Sequence, residues 1–408
     1  MPKLYFNTKR TADLPLHYGK VPPWLANRMS LLGGAIVESI IQQYGKAAVL
    51  SRLSDPFWFQ ALGCVLGMDW HSSGITTSVM GALKRAVNPH AKELGIYIAG
   101  GKGKYSRETP NELLVFSDKT GLNGNELVRS SKLTAKVDNT AIQDGFQIYL
   151  HTFIVSDEGD WTVVQQGMND ASGMARRYHW HSEKLNSYVE NPHTFIYGKN
   201  QGVILNLTDI NAAKAKTGIL EIVKENPGRM LPEIQKLLMP SHHDVRKEDV
   251  NLKRLGSVLA LAHEKDLRDF ESLLLLEGMG PRTLQSLALV SEVIHGAPYR
   301  FDDPGRFSFA HGGKDGHPFP VPVNVYDEVI VQFRESVEKA KLGNTDKQAA
   351  LKNLTMVAQM MEEKFEPEPD AFDKVIEKER RDSYKYGGRT VFGKAQPPKD
   401  NGQLNLFD

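Results

Sequence analysis

The sequence predicts an α+β protein, helical at both ends of its body with a β-rich region between, and three observations carry that expectation. Apolar residues recur at three- and four-residue steps from about residue 22 to 87. Met29, Ile36, Val37, Ile40, Ile41 and Tyr44 make one helix face. The character changes near Gly95. The stretches 96–99, 113–116, 146–155, 161–166 and 203–207 are rich in β-branched and aromatic residues, with Gly, Asp and Asn between them. Helical spacing returns from about residue 213. Leu255, Val258, Leu259 and Ala262 make one stripe, and Val325, Val329, Phe333 and Val337 another. The helical segments at the two ends are expected to pack together around the β-rich middle.

Local signals place the elements in order. Ser54-Asp55-Pro56 has the form of a helix start, with Ser54 or Asp55 capping and Pro56 in the first turn. The segment 57–66 is apolar on nearly every side, so it should be a buried helix. Ser156-Asp157-Glu158-Gly159-Asp160 fits a hairpin loop between two strands. These signals divide the chain into a helical region 1–95, a β-rich region 96–212, a helical region 213–364, a charged and proline-bearing segment with a flexible linker 365–402, and a short tail 403–408.

Bulk properties narrow the class. With 408 residues, 40% of them apolar and 24% charged, the chain can bury a substantial core. It contains no run of eighteen apolar residues, and its start lacks the apolar stretch of a secretion signal. Cys64 is the only cysteine, which excludes an internal disulfide and a multi-cysteine zinc site. A cytoplasmic protein is expected. Net charge is +1, so any contact with nucleic acid must be local rather than spread over the surface.

The sharpest internal motif is Leu276-Glu277-Gly278-Met279-Gly280-Pro281-Arg282-Thr283. Two glycines flank one apolar residue, and Pro281 suits the first turn of a following helix. The segment resembles the helix-hairpin-helix element of DNA repair proteins. That resemblance implies that Gly278, Met279, Gly280, Arg282 and Thr283 hold a phosphate through backbone N–H groups, fixing position without reading sequence. A plain helix connection would use the same glycines. Two further loops pair Gly with Lys: Gly100-Gly101-Lys102-Gly103-Lys104, and 311–317, which contains Lys314. Lys102, Lys104 and Lys314 are therefore candidate phosphate contacts, although neither loop has the P-loop pattern.

The tail reads Gln403-Leu404-Asn405-Leu406-Phe407-Asp408. It resembles the sliding-clamp-binding peptide of bacterial replication and repair proteins. The resemblance implies that Gln403 bonds at a pocket rim while Leu404, Leu406 and Phe407 fill apolar pockets. Three large apolar groups after a flexible linker favour a partner, because leaving them in water is unfavourable.

Two constellations are candidates for chemistry. Asp138, Asp144 and His151, with Gln165, Gln166, Arg176, His179 and His181 on following strands, could hold Mg or Mn for phosphodiester cleavage. Turn carboxylates with a structural role are the alternative. Asp302 follows Gly296-Ala297-Pro298 at a spacing similar to that of the catalytic Asp in helix-hairpin-helix glycosylases. Arg282 stands where lyase-type members carry lysine, and Asp303-Pro304-Gly305 departs from the usual continuation.

The motifs Leu14-Pro15-Leu16-His17-Tyr18-Gly19, Asp55-Pro56-Phe57-Trp58-Phe59-Gln60, Asp69-Trp70-His71-Ser72-Ser73-Gly74 and 307–316 together resemble a prokaryotic family catalogued as domain of unknown function 763. That resemblance spans most of residues 7–345 and implies no established activity. His17, Trp70, His71 and His311 are further site candidates. The expected function is DNA processing in repair or replication, associated with the nucleoid. A nuclease is the leading reading, with a monofunctional glycosylase and a non-enzymatic adaptor recruited by the clamp as alternatives.

Overall fold

Helices flank an antiparallel sheet in a computed structural model that describes residues 14–15, 21–68, 73–237, 252–265, 267–305 and scattered positions within 331–352 and 381–394. A two-residue strand β1 (Leu14–Pro15) precedes α1 (Pro23–Tyr44), α2 (Lys46–Ser54), α3 (Pro56–Val65), α4 (Gly74–Val87) and α5 (Ala91–Leu94). Asp55 caps α3 as expected, accepting from the N–H groups of Phe57 and Trp58 at 2.7 and 3.0 Å. Nearly all of α3 is buried, which explains why its sequence shows no polar face.

The central region is β2 (Ile96–Lys102), α6 (Lys104–Arg107), α7 (Thr109–Thr120), α8 (Gly124–Lys136), a π-helical turn Val137–Ala141, β3 (Ile142–Gln143), β4 (Gln147–Ser156), β5 (Trp161–Asn169), β6 (Met174–His181), β7 (Phe195–Tyr197) and β8 (Val203–Asn206). The expected strand at 113–116 is a correction: these residues lie inside α7. Proline at the start of α7 and left-handed Gly121 after its last residue are helix boundary signals that outweigh a short apolar run. The 156–160 hairpin forms, closed by bonds from Ser156 N–H to the Asp160 carbonyl and from Gly159 N–H to that of Ser156. After β8 come α9 (Ala213–Lys224), α10 (Pro227–Leu237), α11 (Leu252–Glu264), α12 (Phe270–Leu275), α13 (Pro281–His295), β9 (Arg300–Asp302) and the pair β10 (Arg389–Thr390) and β11 (Gly393–Lys394).

The main sheet runs β1-β6-β5-β4-β2 with β7 also on β6, and a smaller one runs β3-β8-β9. Helical segments from the two ends of the body do meet, as the sequence suggested: Phe333, Val337 and Ala350 join the core of α1 to α4, where Phe333 stacks on Trp58. Helices cover opposite faces of the main sheet. α1 to α4 pack on Ile96, Ile98, Ile154 and Val164. The later helices pack with Tyr97, Ala99, Phe153, Val155, Val163, Tyr178 and Trp180. Alternation along each strand produces this division, since neighbouring side chains point to opposite faces. No helix among the described residues is long and apolar enough to cross a membrane.

Candidate functional site

The turn between α12 and α13 is built so that its carbonyls face the protein. Asp269 caps α12 by accepting from Ser272 N–H at 2.8 Å. Gly278 has φ +82, the left-handed region that favours glycine. Met279 between the glycines is buried in the core and pins the loop. Gly280, in extended conformation, is the N-cap of α13, and no side chain caps that helix. The Gly278 carbonyl accepts from Arg254 Nε at 3.3 Å, that of Met279 from Lys136 Nζ, and that of Pro281 from Gln143 Nε2 at 2.8 Å. The N–H groups of Arg282 and Thr283 lie in the first turn of α13, where a helix offers them no acceptor.

The same turn gathers positive charge. Burial and the neighbouring Arg254 charge push the Lys136 ammonium below its ordinary pKa. No ion pair of Lys136 or Arg282 with a carboxylate occurs among the described residues, and Arg282 is exposed. Beside the turn lies a cleft of about 130 Å³, lined by Gln143, Gln285, Tyr299, Arg300 and residues 203–205 of β8. Gln143 therefore touches both features. Asp302 is exposed at the end of β9, opposite Val203 of β8.

The acids expected to be catalytic are elsewhere. Asp138, in the π-helical turn, is fully buried and accepts from Gln165 Nε2 at 2.5 Å, Trp180 Nε1 at 2.9 Å and His193 Nε2 at 2.5 Å. Burial pushes its carboxyl pKa up. Gln165 Nε2 faces the Asp138 carboxylate, so its Oε1 must accept from Nδ1 of His151, 2.9 Å away. His151 Nε2 then accepts from Ser131 Oγ at 2.8 Å. Burial holds this imidazole neutral, with its pKa lowered to about 4.

Asp144 belongs to a second network. It accepts from Arg176 Nη1 at 2.7 Å, Tyr178 O–H at 2.6 Å and Phe146 N–H at 3.0 Å. Arg176 also pairs with Asp303, whose carboxylate accepts from the N–H groups of Gln201 and Gly305 at 2.7 and 2.8 Å. Burial disfavours the Arg176 charge, but Asp144 and Asp303 outweigh it and hold the guanidinium firmly protonated. Sequence reading missed Asp303; the signal was its place one residue beyond Asp302, where strand alternation turns a side chain inward. Among the described residues no three of His, Cys, Asp and Glu converge where a metal ion could sit.

The opposite sheet face holds Arg177 and His179. Arg177 is fully buried, donates to His179 Nε2 at 2.9 Å and Gln60 Oε1 at 3.0 Å, and lies over the rings of Phe59 and Tyr197. No carboxylate among the described residues pairs with it, and burial lowers its pKa to about 10. Gln166 bonds to Thr76 and Tyr149 nearby. His181, further along β6, is buried at the Trp161 carbonyl.

Lys102 and Lys104 are exposed at the end of β2, over the rings of Tyr149 and Tyr105. Gly100 there is indispensable, since an added Cβ would stand 2.2 Å from the His151 carbonyl oxygen. His17, Trp70, His71, His311, Lys314 and the tail residues Gln403, Leu404, Leu406 and Phe407 lie outside the described residues.

The profile of a family described as "Protein of unknown function (DUF763)" matches residues 10–321, more than half of the 408. No curated protein and no solved structure matches the chain.

Proposed function

The chain belongs to the DUF763 family, whose description carries no chemistry, and from the geometry we propose that it binds the DNA backbone through the turn at 276–283. The observation that carries this reading is the inward orientation of the turn. Three carbonyl oxygens of the turn, of Gly278, Met279 and Pro281, are bonded to side chains of the protein itself, and that of Gly280 accepts from Leu284 N–H within α13. The start of α13 is left as the electropositive end of a fifteen-residue helix with no capping side chain. Lys136 and Arg282 add charge at the same place. A phosphate bound there is held by backbone N–H groups and cations, which position the duplex without reading bases.

The clamp-like tail belongs to the same proposal. Gln403, Leu404, Leu406 and Phe407 would tether the body to a sliding clamp while the turn grips DNA. Cleavage by Asp138 and Asp144 is no part of it, because both carboxylates are enclosed and saturated by internal donors. Base excision keeps one supporting observation, the cleft beside the turn and β9. Its acid would be Asp302, the exposed carboxylate of β9.

The test is fluorescence anisotropy with labelled duplexes of several sequences over a range of salt. Arg282→Ala should weaken binding to all of them alike and reduce the slope of log K against log salt by about 0.9, the value of one phosphate contact. Equal affinity and slope in parent and variant would remove the turn from the interface.

A further inference from the structure

The cleft and the cations beside it have a combined shape that an uninterrupted duplex does not use. The cleft offers about 130 Å³, room for roughly four water molecules at liquid density. That is room for about one planar ring system in a cleft that stays open to solvent. Its lining suits a base or sugar edge: two amides, Gln143 and Gln285, each both donor and acceptor, beside the ring of Tyr299.

The cleft carries one cation of its own, Arg300, and the others are one helical turn away. Gln285 lies four residues beyond Pro281 on α13, hence on the same side of the helix. Gln143 joins the two places, bonding the Pro281 carbonyl while lining the cleft. Around the turn stand Lys136 on the Met279 carbonyl, Arg282 in the first turn of α13, and Arg254, whose Nη2 is 3.9 Å from where a Gly280 Cβ would be. Glu277 is the acid of the turn itself and is exposed. A phosphodiester inside a strand brings one negative charge to such a cluster. A phosphate monoester brings close to two at neutral pH and three terminal oxygens. A nucleotide inside a strand must also leave its stack to enter the cleft, at a cost of a few kcal/mol that is smallest where the nucleotide is already loose.

We propose that the cleft and the cation cluster together take the terminal nucleotide of a DNA strand, with its phosphate monoester among Lys136, Arg254 and Arg282 and its base or sugar between Gln143, Gln285 and Tyr299. The proposal rests on the backbone-binding reading and narrows it from duplex in general to ends and nicks.

Nicked duplexes that differ only at the nick test it, carrying 5′-phosphate, 5′-hydroxyl, 3′-phosphate or 3′-hydroxyl, beside the same duplex intact. One of the two phosphate termini should bind about tenfold tighter than its hydroxyl counterpart, the scale of one charge-assisted hydrogen bond. The 5′ and 3′ arms identify which terminus it is. Lys136→Gln keeps a donor for the Met279 carbonyl but removes the charge, and should abolish the phosphate preference. Arg282→Gln, on an exposed side chain, should reduce the same preference without disturbing the fold. Equal binding of phosphate and hydroxyl termini, with intact duplex still bound, would overturn the end-binding proposal and leave the backbone reading standing. Failure of the parent to bind any of these duplexes would overturn both.

Discussion

Arg176 and Arg177 are consecutive on β6 and equally buried, yet the two faces of the sheet treat them in opposite ways. On the face covered by the later helices, Arg176 lies between Asp144 and Asp303, and Asp138 holds His193 nearby. On the face covered by α1 to α4, Arg177 meets only neutral groups and aromatic rings among the described residues, and its partner His179 is kept uncharged by burial and by that same guanidinium. Asp144, which looks catalytic in sequence, therefore balances a buried cation. A buried cation and an accessible one also differ in meaning. The charge of Arg177 is enclosed by the fold's own acceptors, whereas Arg282 is exposed at a helix start and Lys136 is half-buried beside it.

The comparison predicts unequal responses to the same substitution. Arg176→Met strands two buried carboxylates and should lower unfolding stability by about 3–5 kcal/mol, the cost of breaking a buried ion pair from one side. Arg177→Met removes a cation that no carboxylate among the described residues balances. It should lose only about 1–2 kcal/mol, for the acceptors on His179 and Gln60 that it leaves without a donor. Urea midpoints of the two variants decide the matter. Equal losses would mean that Arg177 is as fully compensated as its neighbour.

Acid titration sharpens the contrast between buried carboxylates and buried imidazoles. The folded-state pKa of His151 is about 4 against an ordinary 6.5, so the unfolded chain takes the proton first. Its contribution to stability is complete above pH 6.5 and is lost as pH falls towards about 4, by up to about 1.4 kcal/mol per unit. His151→Gln retains polar contacts with Ser131 and Gln165 but cannot titrate. The difference between parent and variant stability should shrink steadily from pH 6.5 to 4. A constant difference across that window would show that His151 is protonated in the folded protein.

What was legible in the sequence was local. The Asp55 cap, the 156–160 loop and the α11 stripe at Leu255, Val258, Leu259 and Ala262 need only neighbours within a few residues. The apolar stretch at 113–116 misled because four residues cannot separate a helix face from a strand, and the boundary signals around it decide. The Arg176 network was out of reach. Its partners are 32 and 127 positions away, and which of Asp302 and Asp303 turns inward depends on strand phase. Likewise Gln143, Lys136 and Arg254 carry no motif of their own. They acquire a place only when the end of α8, β3 and α11 pack against the turn before α13.

The two glycines of that turn give the finest test, because only one of them is required by the backbone. Gly278 has φ +82, and an added Cβ would stand 3.1 Å from Val258 Cγ2. Gly278→Ala should therefore cost about 1–2 kcal/mol of stability, for a non-glycine residue in the left-handed region, and weaken DNA binding through the damaged turn. Gly280 has φ −137, a conformation any residue adopts, and the nearest atom to its added Cβ is Arg254 Nη2 at 3.9 Å. Gly280→Val should lose no more than about 1 kcal/mol, the N-cap preference for glycine over valine. Its side chain nevertheless occupies the space in which a phosphate approaches the start of α13, so duplex affinity should drop for every sequence. A stable Gly280→Val protein that binds duplex like the parent would show that this second glycine only connects two helices. A stable one that has lost binding separates the interface from the fold, which the cations buttressing the turn cannot do because they serve both.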